Sequence, residues 1–126
     1  MYKVLLDGWV CKQVFIPGGE RLNDEADAAI RNALIEHRLH ISVLSYAYIR
    51  DAAHESVRDE IDKQMKNVVI EPLDERIVIS SALIPSDRPM VRLIAATALC
   101  RNLQLIAKDE TVSCPGLTVI GARKDK

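Results

Sequence analysis

Apolar residues in this chain fall into short unbroken runs, separated by longer stretches in which they recur every three or four positions. Val4-Leu5-Leu6 stops at Asp7-Gly8, the pattern of a buried parallel strand ending in a loop. His40-Ile41-Ser42-Val43, Val68-Val69-Ile70 and Leu105-Ile106-Ala107 read the same way, and Leu117 to Ile120 forms a fifth strand after the Cys114-Pro115-Gly116 turn. A short helix over Trp9 to Ile16 is ended by Pro17-Gly18-Gly19. Ala26, Ala29, Ile30, Ala33 and Leu34 predict a helix from Asp24 to His37, with Asn23 or Asp24 as its cap. Ser45 is placed to cap a helix reaching Ala53, and Val57, Ile61 and Met65 mark another from Ser56 to Met65. Asp74 can cap a helix through Leu83, although its Ile77-Val78-Ile79 run is β-branched and would also suit a strand. The strongest helical stretch runs from Pro89 to Asn102, with proline in the first turn, where an N–H is not needed.

Strands separated by helices predict an α/β domain, a parallel sheet covered on both faces. With 126 residues there is room for one domain, expected over residues 1–121, followed by a charged tail over 122–126 that frays from Arg123. A formal net charge of -1 gives no whole-molecule attraction to nucleic acid or membranes. Cys11, Cys100 and Cys114 are far apart and odd in number, the usage of free thiols in a reducing compartment. Asp7 falls where a signal peptide would continue its apolar run, and the longest apolar stretch, Leu93 to Cys100, is too short to span a bilayer. A cytoplasmic protein is expected.

Asp7 and Asp109 close the first and fourth strands, and ligands of open parallel sheets bind beyond such strand ends. If the two strands are neighbours, the carboxylates converge and repel unless a cation such as Mg²⁺ lies between them. The competing reading is that each acid caps a turn or a helix. His37, His40 and His54 are scattered: His37 and His54 read as charges at helix ends and His40 as a strand-edge residue, not as a zinc site. Cys100, in an apolar helix, reads as core.

Val4-Leu5-Leu6-Asp7, Ile41 to Ala47, Arg92 to Leu99, Leu105 to Glu110 and Leu117 to Ile120 together follow the order and spacing of PIN domains. The resemblance spans Tyr2 to Ile120 and is closest to VapC-type toxins of bacterial toxin–antitoxin pairs. It implies a three-layer α/β/α sandwich with strand order 3-2-1-4-5. It also implies Mg²⁺- or Mn²⁺-dependent endoribonuclease chemistry, RNA as substrate, a homodimer and an inhibitory antitoxin. Such proteins carry four acids. Asp7 matches the first and Asp109 the fourth, whereas Tyr48 and Val91 stand at the second and third. Gly8 replaces the usual small hydroxyl residue after the first acid, and Trp9 the polar residue that follows. Asp51, Glu55 and Asp87 are the acids near enough in sequence to have taken over the missing roles. Two carboxylates hold one Mg²⁺ or Mn²⁺ weakly, so the expectation is a degenerate centre, at Asp7 and Asp109, with little or no cleavage and with RNA binding or a regulatory protein interaction in its place. Two readings stay open beside it: a ribonuclease completed by migrated acids, and a module for protein interaction alone.

Overall fold

The computed structural model describes residues 3–110, 112 and 114–124. Strand β1 (Val4–Leu6) lies at the centre of a five-stranded sheet, and all of its side chains are buried. It pairs in parallel with β2 (Leu39–Ser42) on one side and β4 (Gln104–Ala107) on the other, with Leu5 opposite both His40 and Leu105. Strand β3 (Val69–Glu71) extends the sheet beyond β2, and β5 (Val119–Gly121) extends it beyond β4. The order is therefore β3-β2-β1-β4-β5, all parallel, as the resemblance implied.

Successive strand side chains point to opposite faces, which divides the core in two. Val4, Leu6, Ile41 and Ile106 face helices α1 (Gly8–Phe15), α2 (Asp24–Ile35), α3 (Val43–Ala52) and α4 (Glu55–Gln64). Leu5 and Leu105 face α5 (Glu75–Ser80) and α6 (Pro89–Arg101), which contribute Ile77, Ile94, Ala95 and Ala98. The result is a three-layer α/β/α sandwich. No helix among the described residues is long and apolar enough to cross a membrane.

Several boundaries depart from the sequence pattern, each for a local reason. Ser42, not Ser45, caps α3: its Oγ accepts from Leu44 N at 3.1 Å. Val43 consequently leaves the strand and opens the helix, and Ser45 is buried inside it. Helix α2 stops short of His37, which turns left-handed at φ 56 while Arg38 N returns to Ala33 O at 2.7 Å. Leu117 N closes a turn onto Cys114 O at 3.1 Å, so β5 begins later than Leu117. The β-branched run of α5 is helical, because Asp74 Oδ1 accepts from Ile77 N at 2.9 Å. Val78 and Ile79 stay on its exposed side.

The histidines also move. His54 starts a helix: its Nδ1 accepts from Ser56 N at 3.1 Å and caps α4. His40 is not at a strand edge, since β2 lies between β3 and β1. It is buried, with Nδ1 2.8 Å from Glu71 Oε1. Arg101 then donates to Glu71 Oε2 and to Asp74 Oδ2, both at 2.9 Å, and ties β3 to the end of α6 and the start of α5.

Arg123, assigned to the tail by its charge, is held: its N–H donates to Lys108 O at 3.0 Å, and it bridges to Leu22. Asp125 and Lys126 lie outside the described residues.

Candidate functional site

The site begins where β1 ends. Asp7 N–H donates to Ile106 O at 3.0 Å, which carries the β1–β4 pairing one residue further. Asp7 is extended at φ -75 and ψ 174, and its Oδ1 accepts from Val10 N at 2.7 Å as the cap of α1. Its Oδ2 accepts from Lys108 N at 3.1 Å, across the strand boundary from β4. One carboxylate thus starts a helix and fastens two strand ends together. Asp7 therefore caps a helix, as one of its two sequence readings has it.

Burial raises the Asp7 pKa from 3.8 to about 6. The Val10 and Lys108 N–H groups oppose that rise, the Asp109 charge adds to it, and the Lys108 charge opposes it. Directly beneath, Cys11 is fully buried, and its thiol is pushed up by burial and by the Asp7 charge, with the Ser45 hydroxyl acting the other way. Such a thiol is inert as a nucleophile.

β1 and β4 are adjacent, so Asp7 and Asp109 meet in one cleft of about 390 Å³. Tyr48 from α3 and Val91 from α6 both line it, as does Trp9 from the first turn of α1. Met90 and Ile94 extend the apolar wall, and Arg88 and Lys108 supply positive charge. The Lys108 ammonium sits 5.6 Å from the Trp9 ring centroid, in cation–π range. Gly8 lets the wall close in, because a Cβ there would lie 3.2 Å from Met90 Cε and 3.5 Å from Tyr48 Cδ2. The structure therefore brings Asp7, Asp109, Tyr48 and Val91 to one place.

Asp51, Glu55 and Asp87 are not brought there. All three are exposed and none lines the cleft. Among the described residues, no three His, Cys, Asp or Glu side chains are grouped so as to hold a metal ion. Arg88 and Met90 went unnoticed in the sequence. Their one signal was position, since they flank Pro89 at the start of α6, within three residues of Val91. The buried Glu71 was missed as well, hidden by its place at a strand end before Pro72.

No protein-family model and no curated protein matches the chain. Solved structures do. A DNA-bound VapBC complex from Salmonella typhimurium contains a chain 16% identical to this one, with a TM-score of 0.71, covering 95% of this chain and 98% of that one. A toxin–antitoxin complex from Klebsiella pneumoniae gives 18% identity and a TM-score of 0.69 over 93% of this chain and 95% of that one. The FitAcB complex from Neisseria gonorrhoeae gives 18% identity and a TM-score of 0.69 over 93% and 96%. The PIN-like α/β/α fold of VapC-type proteins, implied by the sequence resemblance, is the fold of this chain.

Proposed function

We propose that this chain is a VapC-like protein that has given up metal-dependent RNA cleavage and acts by binding. The observation that carries the proposal is the make-up of the cleft. Tyr48 and Val91 stand among its walls, and among the described residues the only carboxylates lining it are Asp7 and Asp109. Two divalent ions would bring four positive charges against two carboxylates, and one of those, Asp7, is drawn toward neutrality by its burial. Both Asp7 oxygens already accept backbone N–H groups, which orients them for structure. The donor set does not fit a two-metal centre, and any single Mg²⁺ or Mn²⁺ at Asp7 and Asp109 would keep mostly water ligands.

Binding in place of cleavage is supported by the surface. Ile35, Val78, Ile79 and Leu83 are apolar and exposed, chemistry that suits a protein partner. The similar solved structures are toxin–antitoxin complexes, so an antitoxin-like protein and a second copy of this chain are the partners proposed. The rival reading, a ribonuclease completed by Asp51, Glu55 or Asp87, requires these exposed side chains to reach a cleft that none of them lines.

The test is RNA cleavage by the purified chain with Mg²⁺ or Mn²⁺, beside an Asp7→Asn variant. The expected result is no cleavage above the variant's background. Cleavage that disappears in Asp7→Asn would overturn the proposal.

A further inference from the structure

Lys108 is anchored at its root and seated at its tip. Its backbone N–H donates to Asp7 Oδ2 at 3.1 Å, which fixes the start of the side chain beside the end of β1. Its ammonium lies 5.6 Å from the centroid of the Trp9 ring. Trp9 stands two residues after Asp7, in the first turn of α1, so the lysine reaches from the end of β4 to α1 along a cleft that both residues line. A positive charge is thereby held on the wall of the cleft that contains Asp7. Resting on the reading that this cleft has given up metal-dependent cleavage, we propose that the Lys108 ammonium, seated on Trp9, is the cleft's own cation and keeps divalent ions away from Asp7.

The seat is itself fixed. The Trp9 side chain packs against the core on the α1–α4 face, and its carbonyl accepts from Gln13 Nε2 at 3.1 Å. Gln13 Oε1 in turn accepts from Glu20 N at 2.7 Å, which braces the end of α1. The negative face of an indole attracts an ammonium, so the lysine is drawn onto the ring. Its charge also reaches Asp7, since it opposes the rise in that carboxyl's pKa. A lysine carries its charge on a covalent tether. Mg²⁺ or Mn²⁺ must shed water and then meet that charge in the same cleft. Repulsion between the two cations therefore falls on the ion, which is free to leave. A tethered cation needs no further carboxylates around it, which suits a cleft walled by Tyr48 and Val91. Arg88 also lines the cleft, but its bond to Ser86 Oγ at 3.2 Å is made by the backbone N–H. Its guanidinium is seated on no ring among the described residues.

The experiment titrates Mn²⁺ into the full chain near pH 7, reading free Mn²⁺ by electron paramagnetic resonance and heat by calorimetry. Lys108→Met keeps most of the stem and removes the charge. Expected is Mn²⁺ binding about tenfold tighter than in the wild type, or about 1.4 kcal/mol, with the gain lost when Asp7→Asn is added. Lys108→Arg keeps the charge and should bind as weakly as the wild type. Trp9→Leu removes the seat and should give a gain of about threefold. Arg88→Ala, at an exposed charge, should change affinity by less than about twofold. A second readout needs no metal. In the wild type the Lys108 ε-methylene protons resonate upfield, under the indole ring current, and Trp9→Leu should return them to their ordinary position.

Mn²⁺ affinity unchanged by Lys108→Met would overturn the inference. So would an equal gain in Lys108→Arg or Arg88→Ala, a gained site indifferent to Asp7→Asn, or Lys108 resonances that Trp9→Leu does not move. None of these measurements involves RNA. Failure here is therefore distinct from cleavage of RNA by the wild type, the result that overturns the non-cleaving reading.

Discussion

Two buried carboxylates on the same sheet are treated in opposite ways. Glu71, at the end of β3, is met by side chains: the His40 ring and the Arg101 guanidinium, the latter also bound to Asp74. Asp7, at the end of β1, is met by backbone N–H groups, and its neighbour in the cleft is another acid. At the sheet edge, then, buried charge is answered by a side-chain cation. At the sheet centre it is tolerated by hydrogen bonds and by a raised affinity for a proton. Asp7 is thus left with a second acid beside it, whereas Glu71 is tied by side chains into the scaffold.

The difference can be broken first by pH. The folded-state pKa of Asp7 is about 6 against the ordinary 3.8 of a free aspartate, so between these values the folded chain holds a proton that the unfolded chain has lost. Its contribution to stability is therefore fully present below about pH 4 and is lost as pH rises to about 6, by up to about 3 kcal/mol. Urea denaturation across that range measures it, and Asp7→Asn should flatten the slope. The second test acts on the other acid. Arg101→Leu leaves Glu71 with the His40 ring as its remaining side-chain partner and should cost about 2 kcal/mol in thermal or urea unfolding. Asp7→Asn, which keeps an oxygen for Val10 N, should change stability by less than that near pH 7.

A third prediction rebuilds what the centre lacks. Tyr48→Glu combined with Val91→Asp would return carboxylates to positions that line the cleft, and Mn²⁺ affinity by calorimetry should rise about tenfold, or about 1.4 kcal/mol. No gain would mean that the cleft walls, and not missing acids, exclude the ion. The smallest effect concerns Lys108→Ala. Its backbone N–H to Asp7 survives, so only the ammonium–indole contact is lost, about 0.5 kcal/mol, with a change in Trp9 emission as the marker.

Most of the architecture was legible because the strands are short, continuous and apolar, and because a buried parallel sheet needs that pattern. Val4-Leu5-Leu6 and Leu105-Ile106-Ala107 each read directly as a strand with an acid beyond it. The errors cluster where one side chain chooses between neighbouring boundaries. Ser42 and Ser45 are equally good caps in sequence, and only the strand register shows that Ser42 stands at the turn out of β2. His40 resembled an edge residue because nothing local reveals that β3 lies outside β2. The cleft was half legible. Asp7 and Asp109 were legible as strand-end acids and Tyr48 and Val91 through the resemblance, but Arg88, Met90 and the pairing of Lys108 with Trp9 depend on a distant packing of α6 and β4 against α1 that no local pattern encodes.

Asn23 caps α2 through Oδ1, which accepts from Ala26 N at 2.8 Å, while its Nδ2 donates to Gly121 O at 2.7 Å, 98 residues further along. Its own N–H bonds to Ala122 O at 2.9 Å. The second helix to leave the ribosome is therefore completed only when the fifth strand has been made. At about 5–20 residues per second that interval is of order 5–20 s, during which the start of α2 lacks its lasting partners. Chaperone contact and proteolysis have their opening in that interval, and an early stop just before Gly121 would make it permanent.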